Sequence, residues 1–419
     1  MDRVDLCRLV TCGSVDDGKS TLIGRLLYDS KQVMADQLEH IEAASERRGD
    51  GYVNLALLTD GLRAEREQGI TIDVAYRAFA TPERRFIIAD SPGHVQYTRN
   101  MATGASTADV AVILIDARHG VVEQTRRHTY VCALLRIPRI VVAVNKMDLV
   151  DFAEQRFDEI AEQFRAFAGE LDIVIDLIPI SALDGDNVVD PSTRMDWYEG
   201  TSLLHHLERI PLDREQADLP ARYPVQWVIR PQTAEHHDYR GYAGQIASGE
   251  FRPGMQVLVL PAGHTSTIAS VETIDGPLDV AEAPRSVTIR LDDNLDVARG
   301  DMIVGVDHPA QVTRELVADV CWMSDRPLTP GGRYVICHTT REARAVVDAI
   351  EYRVDVHTFD TGPADTLGLN DLGRIRLRTS QPLVVDPYRL NRTTGSFILI
   401  DETTNDTLGA GMIVDGAPT

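Results

Sequence analysis

Residues 13–20 read GSVDDGKS, and a Gly, four residues, then Gly-Lys-Ser leaves the backbone around it few options. Gly13 and Gly18 let the main chain curl so that successive N–H groups face one centre, and a helix opening at the loop's end aims its positive dipole end at the same point. Phosphate oxygens fit such a centre. Ser14, Val15, Asp16 and Asp17 form the body of the loop. Lys19 is placed to span the β- and γ-phosphates of a nucleotide, Ser20 offers its hydroxyl to Mg²⁺, and Thr21 follows in the first helical turn. Ordinary residue usage produces this pattern about 0.01 times in a chain of such length.

The loop follows the apolar run LCRLVTC (6–12), and further runs recur as RFIIAD (85–90), VAVILIDA (110–117), IVVAVN (140–145) and LIPISA (177–182), each followed by a loop and a helix-like stretch. This is the rhythm of a mostly parallel sheet with helices on both faces. The texture changes at IPLDREQADLPARYP (210–224). Beyond it YPVQWVIR, GYAGQIASG, MQVLVLPAG, SVTIRL and GRIRLRT alternate with Gly, Pro and Asp turns, which predicts small all-β barrels. The expected organisation is an α/β P-loop nucleotide-binding domain over 1–212 and two barrels over 213–310 and 311–419.

Two more segments identify the nucleotide. Asp90, Ser91, Pro92, Gly93 and His94 (DSPGH) follow a strand, where a carboxylate can hold Mg²⁺ through water and a glycine N–H can sense the γ-phosphate. Asn145, Lys146, Met147 and Asp148 (NKMD) follow another. Guanine presents N1–H and N2–H₂ donors that the Asp148 carboxylate can accept together, whereas adenine presents an acceptor there. A mismatch of that kind supports roughly 10⁴-fold discrimination. Ser181, Ala182 and Leu183 complete the set as a loop whose backbone can reach guanine O6. GTP with Mg²⁺ is the expected ligand pair, with Ser20, Thr71 and, through water, Asp90 around the metal.

The stretch from Lys19 to Thr71 is too long for an ordinary connection and is expected to be a switch ordered by GTP. Thr71 in GIT can give a hydroxyl to Mg²⁺ and its backbone to the γ-phosphate. His94 is expected to position the attacking water, so the candidate catalytic residues are His94, Lys19 and Thr71. His205 with His206 and His236 with His237 lack partners at metal spacing and read as surface residues. Five scattered cysteines argue against a disulfide framework or a CxxC zinc site. No run reaches the roughly 20 apolar residues of a membrane helix, and MDRVDLCRLV lacks a basic leader, so a cytoplasmic location is expected. A formal charge of -22 repels polyanions on average.

A G domain with GITID, DSPGH and NKMD followed by barrels resembles the translation-factor group of GTPases. The segments GSVDDGKSTLIGRLLYDSK, LLTDGLRAEREQGITIDVAYR, DSPGHVQYTRNMATGAS and IDARHGVVEQTRRH resemble more closely the large, GTPase subunit of sulfate adenylyltransferase. The resemblance is dense from residue 8 to about residue 150 and looser through the barrels. Elongation factor Tu has GHVDHGKT in the loop, with His where this chain has Asp17, and a shorter first switch. The resemblance implies a small catalytic partner subunit that makes adenosine 5′-phosphosulfate and pyrophosphate from ATP and sulfate while this chain hydrolyses GTP. It implies neither nucleic-acid nor membrane binding. The competing expectation is an elongation-factor-like GTPase acting on tRNA or the ribosome, for which Arg374, Arg376, Arg378, Arg389 and Arg392 could supply a basic face.

Replacing Asp148 by Asn is expected to move preference from GTP toward xanthosine triphosphate, because the amide can donate to the xanthine 2-oxo group. Competition binding with the two nucleotides measures this, and an unchanged guanine preference would place the base elsewhere.

Overall fold

The computed structural model describes residues 5–31, 39, 41, 45–46, 53, 55–58, 73–92, 98–169, 171, 173–212, 215–231, 239–355 and 358–414. The chain divides into two compact units between Leu212 and Asp213.

The first unit is built on a six-stranded sheet of β1 (Leu6–Cys12), β2 (Ala75–Ala80), β3 (Arg85–Asp90), β4 (Val110–Asp116), β5 (Arg139–Asn145) and β6 (Val174–Pro179), in the order β2-β3-β1-β4-β5-β6. All neighbours are parallel except the edge pair β2–β3. Every residue of β4 is buried, as a central strand covered on both faces requires. Helices of this unit include α1 (Lys19–Asp29), α2 (Thr98–Ala105), α3 (Glu123–Leu134), α4 (Glu154–Ala168) and α5 (Leu203–Arg209). In α4 the buried residues Phe157, Ile160, Ala161, Phe164 and Ala168 recur at helical spacing, and the charged residues between them take the other face. β6 starts earlier than the apolar run at 177–182 suggested and stops at Pro179, because Ser181 is drawn into a bridge with Asp186.

Register brings the functional segments to one edge. Thr11 lies opposite Asp90, and Asp116 opposite Asn145, so the loops after β1, β3, β4 and β5 all leave the carboxyl end of the sheet. Ligands of open α/β sheets bind at that end.

The second unit opens with the short α6 (Glu215–Asp218) and holds two seven-stranded sheets and one two-stranded pair. The first contains β7 (Arg222–Ile229), β8 (Gly241–Gln245), β10 (Gln256–Leu260), β11 (His264–Thr273), β12 (Gly276–Leu278), β14 (Ser286–Leu291) and β15 (Met302–Gly305), and the pairing of β10 with β11 closes it into a barrel. The pair β9 (Glu250–Phe251) and β13 (Ala281–Glu282) stands beside it. The second contains β16 (Gln311–Trp322), β17 (Arg333–His338), β18 (Arg341–Val354), β19 (Thr361–Gly362), β20 (Leu372–Val385), β21 (Ser396–Ile400) and β22 (Thr407–Ile413), closed by the pairing of β17 with β18. Closure removes the exposed strand edges that would otherwise template aggregation.

A buried ion pair ties the barrels together. Arg222 Nε and Nη2 donate to the two oxygens of Asp386 at 2.8 and 2.9 Å, Arg222 Nη1 donates to the His308 carbonyl at 2.8 Å, and Thr394 Oγ1 donates to Asp386 at 2.6 Å. Leu260, Met302, Val304, Ala310 and Val384 form an apolar cluster of their own in this unit. Removing one member of a buried pair strands the other charge, so Arg222→Ala should cost about 3–5 kcal/mol in urea unfolding. Removing Asp386 as well should cost less than the sum of the two single changes, since no lone charge is then left.

Candidate functional site

The phosphate loop is held open from below. Gly18 caps α1 at φ 93°, in the left-handed region that favours glycine, and the helix starts at Lys19 with no acid in its first turn. A Cβ on Gly18 would lie 2.5 Å from Asn145 Nδ2, and one on Gly13 would lie 3.2 Å from Asp17 Oδ2 and from Leu114 Cβ. Lys19 Nζ donates to the carbonyls of Gly13 and Ser14 at 3.0 and 3.1 Å, closing the curl around the ammonium. Burial holds Lys19 below the ordinary lysine value, against the opposing pull of Asp90 and Asp17. Asp17 is buried and accepts the Ser14 N–H; burial lifts its carboxyl above the usual range despite that bond and Lys19. Val15 is half-buried, Asp16 is exposed, and Ser20 and Thr21 are half-buried in the first turn of α1.

The loop after β5 is joined to the phosphate loop through Asn145. Its Nδ2 donates to the Asp17 carbonyl at 2.7 Å, and its Oδ1 accepts the Ala182 N–H at 2.9 Å. Lys146, itself left-handed at φ 63°, donates from Nζ to the Asp16 carbonyl. Met147 is fully buried and its N–H is bonded to the Ile180 carbonyl, so it spaces the loop while its side chain packs inward. Asp148 is half-buried, and its Oδ1 accepts the Ser181 hydroxyl at 2.7 Å. A carboxylate oxygen has two lone pairs, so this bond leaves both oxygens able to accept from a ligand edge. Ser181 and Ala182 are buried, while Leu183 is exposed at 39%.

Asp90 and Ser91 are buried at the end of β3; Thr11 Oγ1 donates to Asp90 Oδ1 at 3.4 Å, and Pro92 is buried next to them. The Ser20 hydroxyl and the Asp90 carboxylate are hard oxygen donors, the chemistry that suits Mg²⁺. Thr71, Gly93 and His94 lie outside the described residues. The structure thus brings the loops at 13–21, 90–92, 145–148 and 181–183 to one end of one sheet. His205 and His206 sit on α5, where His205 faces Glu208 at 3.5 Å and His206 faces Asp176 at 3.2 Å. Four of the five cysteines are buried and all five are free.

Sequence reading passed over four residues here. Arg25 of α1 donates from Nε to the Ala182 carbonyl at 3.2 Å and from Nη2 to the Leu183 carbonyl. Asp116 pairs with both Lys146 and Arg118, and His128 of α3 is buried near Lys19. For Asp116 a usable signal was present: an acid ending the wholly apolar run VAVILID. Arg25 and His128 sit on helices whose local pattern carries no such mark.

Fold and loops together define a P-loop GTP-binding domain of the elongation factor Tu type, and residues 5–213 match the family described as "Elongation factor Tu GTP binding domain". Residues 315–414 match "GTP-eEF1A C-terminal domain-like". The chain is 52% identical over 417 residues to "Sulfate adenylyltransferase subunit 1" of Bacteroides fragilis, covering 99% of this chain and 87% of that protein. It is 55% identical over 412 residues to "Bifunctional enzyme CysN/CysC" of Mycobacterium tuberculosis, covering 98% of this chain and 67% of that protein. A solved structure of "sup35 complexed with GDP" is similar at 24% identity with a TM-score of 0.45, covering 99% of this chain and 95% of that one. The chain belongs to the sulfate adenylyltransferase subunit 1 family.

His128 generates a pH prediction. Its ring is fully buried, its Nδ1 has no hydrogen-bond partner among the described residues, and burial, with Lys19 and Arg127 nearby, pushes its pKa down to about 3. An unfolded histidine takes up a proton below about pH 6.5 while the folded one does not until about pH 3. The unfolded state therefore binds more protons across that window, and this residue lowers stability as pH falls through it, at a limiting slope of about 1.4 kcal/mol per pH unit. Urea titrations from pH 7 to pH 4 should show a shallower loss for His128→Gln than for the parent chain.

Proposed function

We propose that this chain is the GTP-hydrolysing subunit of a sulfate adenylyltransferase, driving a small partner subunit that makes adenosine 5′-phosphosulfate and pyrophosphate from ATP and sulfate. The observation that carries the proposal is identity of about half over nearly the whole length to proteins named as that subunit, combined with an assembled guanine-type pocket. Asp148 accepts the two donors of guanine, oriented by Ser181, and the loop at 181–183, whose Ala182 N–H is held by Asn145 Oδ1, lies on the O6 side. The N–H groups of the 13–21 loop other than those of Ser14 and Asp17, which bond within the loop, hold the phosphates together with the Lys19 ammonium. Ser20, Thr71 as the switch ligand and, through water, Asp90 would hold Mg²⁺, which when bound would supply positive charge beside the phosphate oxygens. His94 orients the attacking water. The domain limits proposed are 1–212 for the G domain and 213–310 and 311–419 for the barrels.

Coupling requires that the GTP and GDP states bind the partner or its intermediates with different affinity. The long segment between Lys19 and Thr71 is the proposed carrier of that difference. A tRNA-binding role is not favoured by the charges of β20. Arg374 is paired with Asp319 at 2.8 Å, Arg376 with Glu351 at 3.4 Å and Arg378 with Asp348 at 2.8 Å, so this row of arginines is neutralised within the barrel. Among the described residues no helix is long and apolar enough to cross a membrane.

The test is pyrophosphate release from ATP and sulfate, with and without GTP and the small subunit. The isolated chain is expected to hydrolyse GTP and make no phosphosulfate, with synthesis appearing on addition of the small subunit. Synthesis by this chain alone, or tight salt-sensitive tRNA binding, would overturn the proposal.

A further inference from the structure

At the carboxyl end of β4 stand two charged residues outside the loop motifs, Asp116 and Arg118, packed against Lys146 of one of those motifs. The Asp116 side chain is 2% exposed. Arg118 Nε donates to its Oδ1 at 3.0 Å and Arg118 Nη2 to its Oδ2 at 2.6 Å; the Arg118 backbone N–H adds a third bond at 2.9 Å, and Lys146 Nζ a fourth contact at 3.0 Å. A carboxylate offers about four lone-pair sites, so this one is saturated and its orientation is determined on every side. The turn that carries Arg118 is itself pinned. Arg156 of α4 donates to the Ala117 carbonyl at 2.7 Å and to the Arg118 carbonyl at 3.3 Å, and Gly120 closes the turn at φ 71°.

Lys146 therefore lies between two acceptors, the Asp116 carboxylate and the Asp16 carbonyl of the phosphate loop. It is adjacent in sequence to Asn145 and two residues from Asp148. Its long side chain is 22% exposed, which is low for a lysine at the mouth of a site, and a free lysine would lose rotamer entropy on every binding event. Fixing it beforehand removes that cost from nucleotide binding.

We infer that Asp116 is a positioning residue of the nucleotide pocket: its carboxylate, locked by Arg118, holds the Lys146 ammonium against the Asp16 carbonyl, so that the base loop and the phosphate loop grip the nucleotide as one piece. This rests on the reading of 145–148 as the base-binding loop. Asp116 touches neither base nor phosphate in this role. Its loss loosens the grip on any purine nucleotide without altering which base is preferred.

The experiment is the release rate of fluorescent guanosine and inosine diphosphates from the full chain. Asp116→Asn is expected to speed release about tenfold, the size of one charge-assisted hydrogen bond, and by the same factor for both bases. Lys146→Ala, which removes the contacts to both Asp116 and the Asp16 carbonyl, should speed release at least as much, and the double variant should be little faster than Lys146→Ala alone, because the Asp116 contact is already lost in it. Arg118→Ala, at a position 43% exposed, should fold normally and give a smaller acceleration in the same direction. If Asp116→Asn fails to fold, the cycle is run between Arg118→Ala and Lys146→Ala with the same expectation. Multiplying effects in the cycle, or an unchanged release rate, would overturn the inference. Asp148→Asn separates the two readings: a shift toward xanthosine with multiplying Asp116 and Lys146 effects removes only the positioning role, whereas unchanged guanine preference removes the base-loop reading beneath it.

Discussion

Asn145 is the point on which the first unit's chemistry turns. One amide, buried at the end of β5, donates to the phosphate loop at Asp17 and accepts from the backbone of Ala182, so loops that are far apart in sequence are held at fixed separation. Gly18 must be a glycine partly for this reason, since a side chain there would collide with Asn145 Nδ2. The bond also explains why a polar side chain is tolerated at 2% exposure: donor and acceptor are both used, and an unpaired amide at that depth would cost about 1–3 kcal/mol.

Around that amide the charges are arranged in opposed pairs. Lys19 is wrapped by its own loop carbonyls and faced by Asp90 and Asp17; Lys146 is held between Asp116 and the Asp16 carbonyl. Asp116 illustrates the balance of terms. Burial would raise its pKa, but the hydrogen bonds from Arg118 and Lys146 outweigh burial and hold the carboxyl well below the usual range. Such preorganisation places donors and charges before a polyanion arrives, which is where an electrostatic site gains most. The second unit uses the same device for a different end, with Arg222 and Asp386 linking two closed barrels.

Much of the G domain could be read from the chain because parallel strands buried on both faces appear as unbroken apolar runs. β4 and β5 fall on such runs almost throughout, and β1 and β3 do so once past the exposed Arg8 and Arg85; each is followed by a polar segment that leaves the same sheet edge. The barrels were harder. β18 and β20 are long, carry register shifts against each other and alternate charged with apolar residues, so REARAVVDAIEYRV has no continuous apolar signature. β6 was displaced for a related reason, because the run LIPISA continues past the proline that ends the strand.

Residue order and spacing were enough to specify the nucleotide class, since guanine's donors, the phosphate charge and the glycine conformations each demand particular residue types at short, regular intervals. Local spacing cannot say which side chain stands behind another. That Asp116 faces Lys146, that Arg25 reaches the carbonyls of Ala182 and Leu183, and that His128 is buried and uncharged near Lys19 all follow from packing between elements distant in the chain. Those contacts exist only once the strands have taken their register, because the carboxylate that ends one strand and the ammonium that follows the next meet only after the sheet has carried both to the same edge.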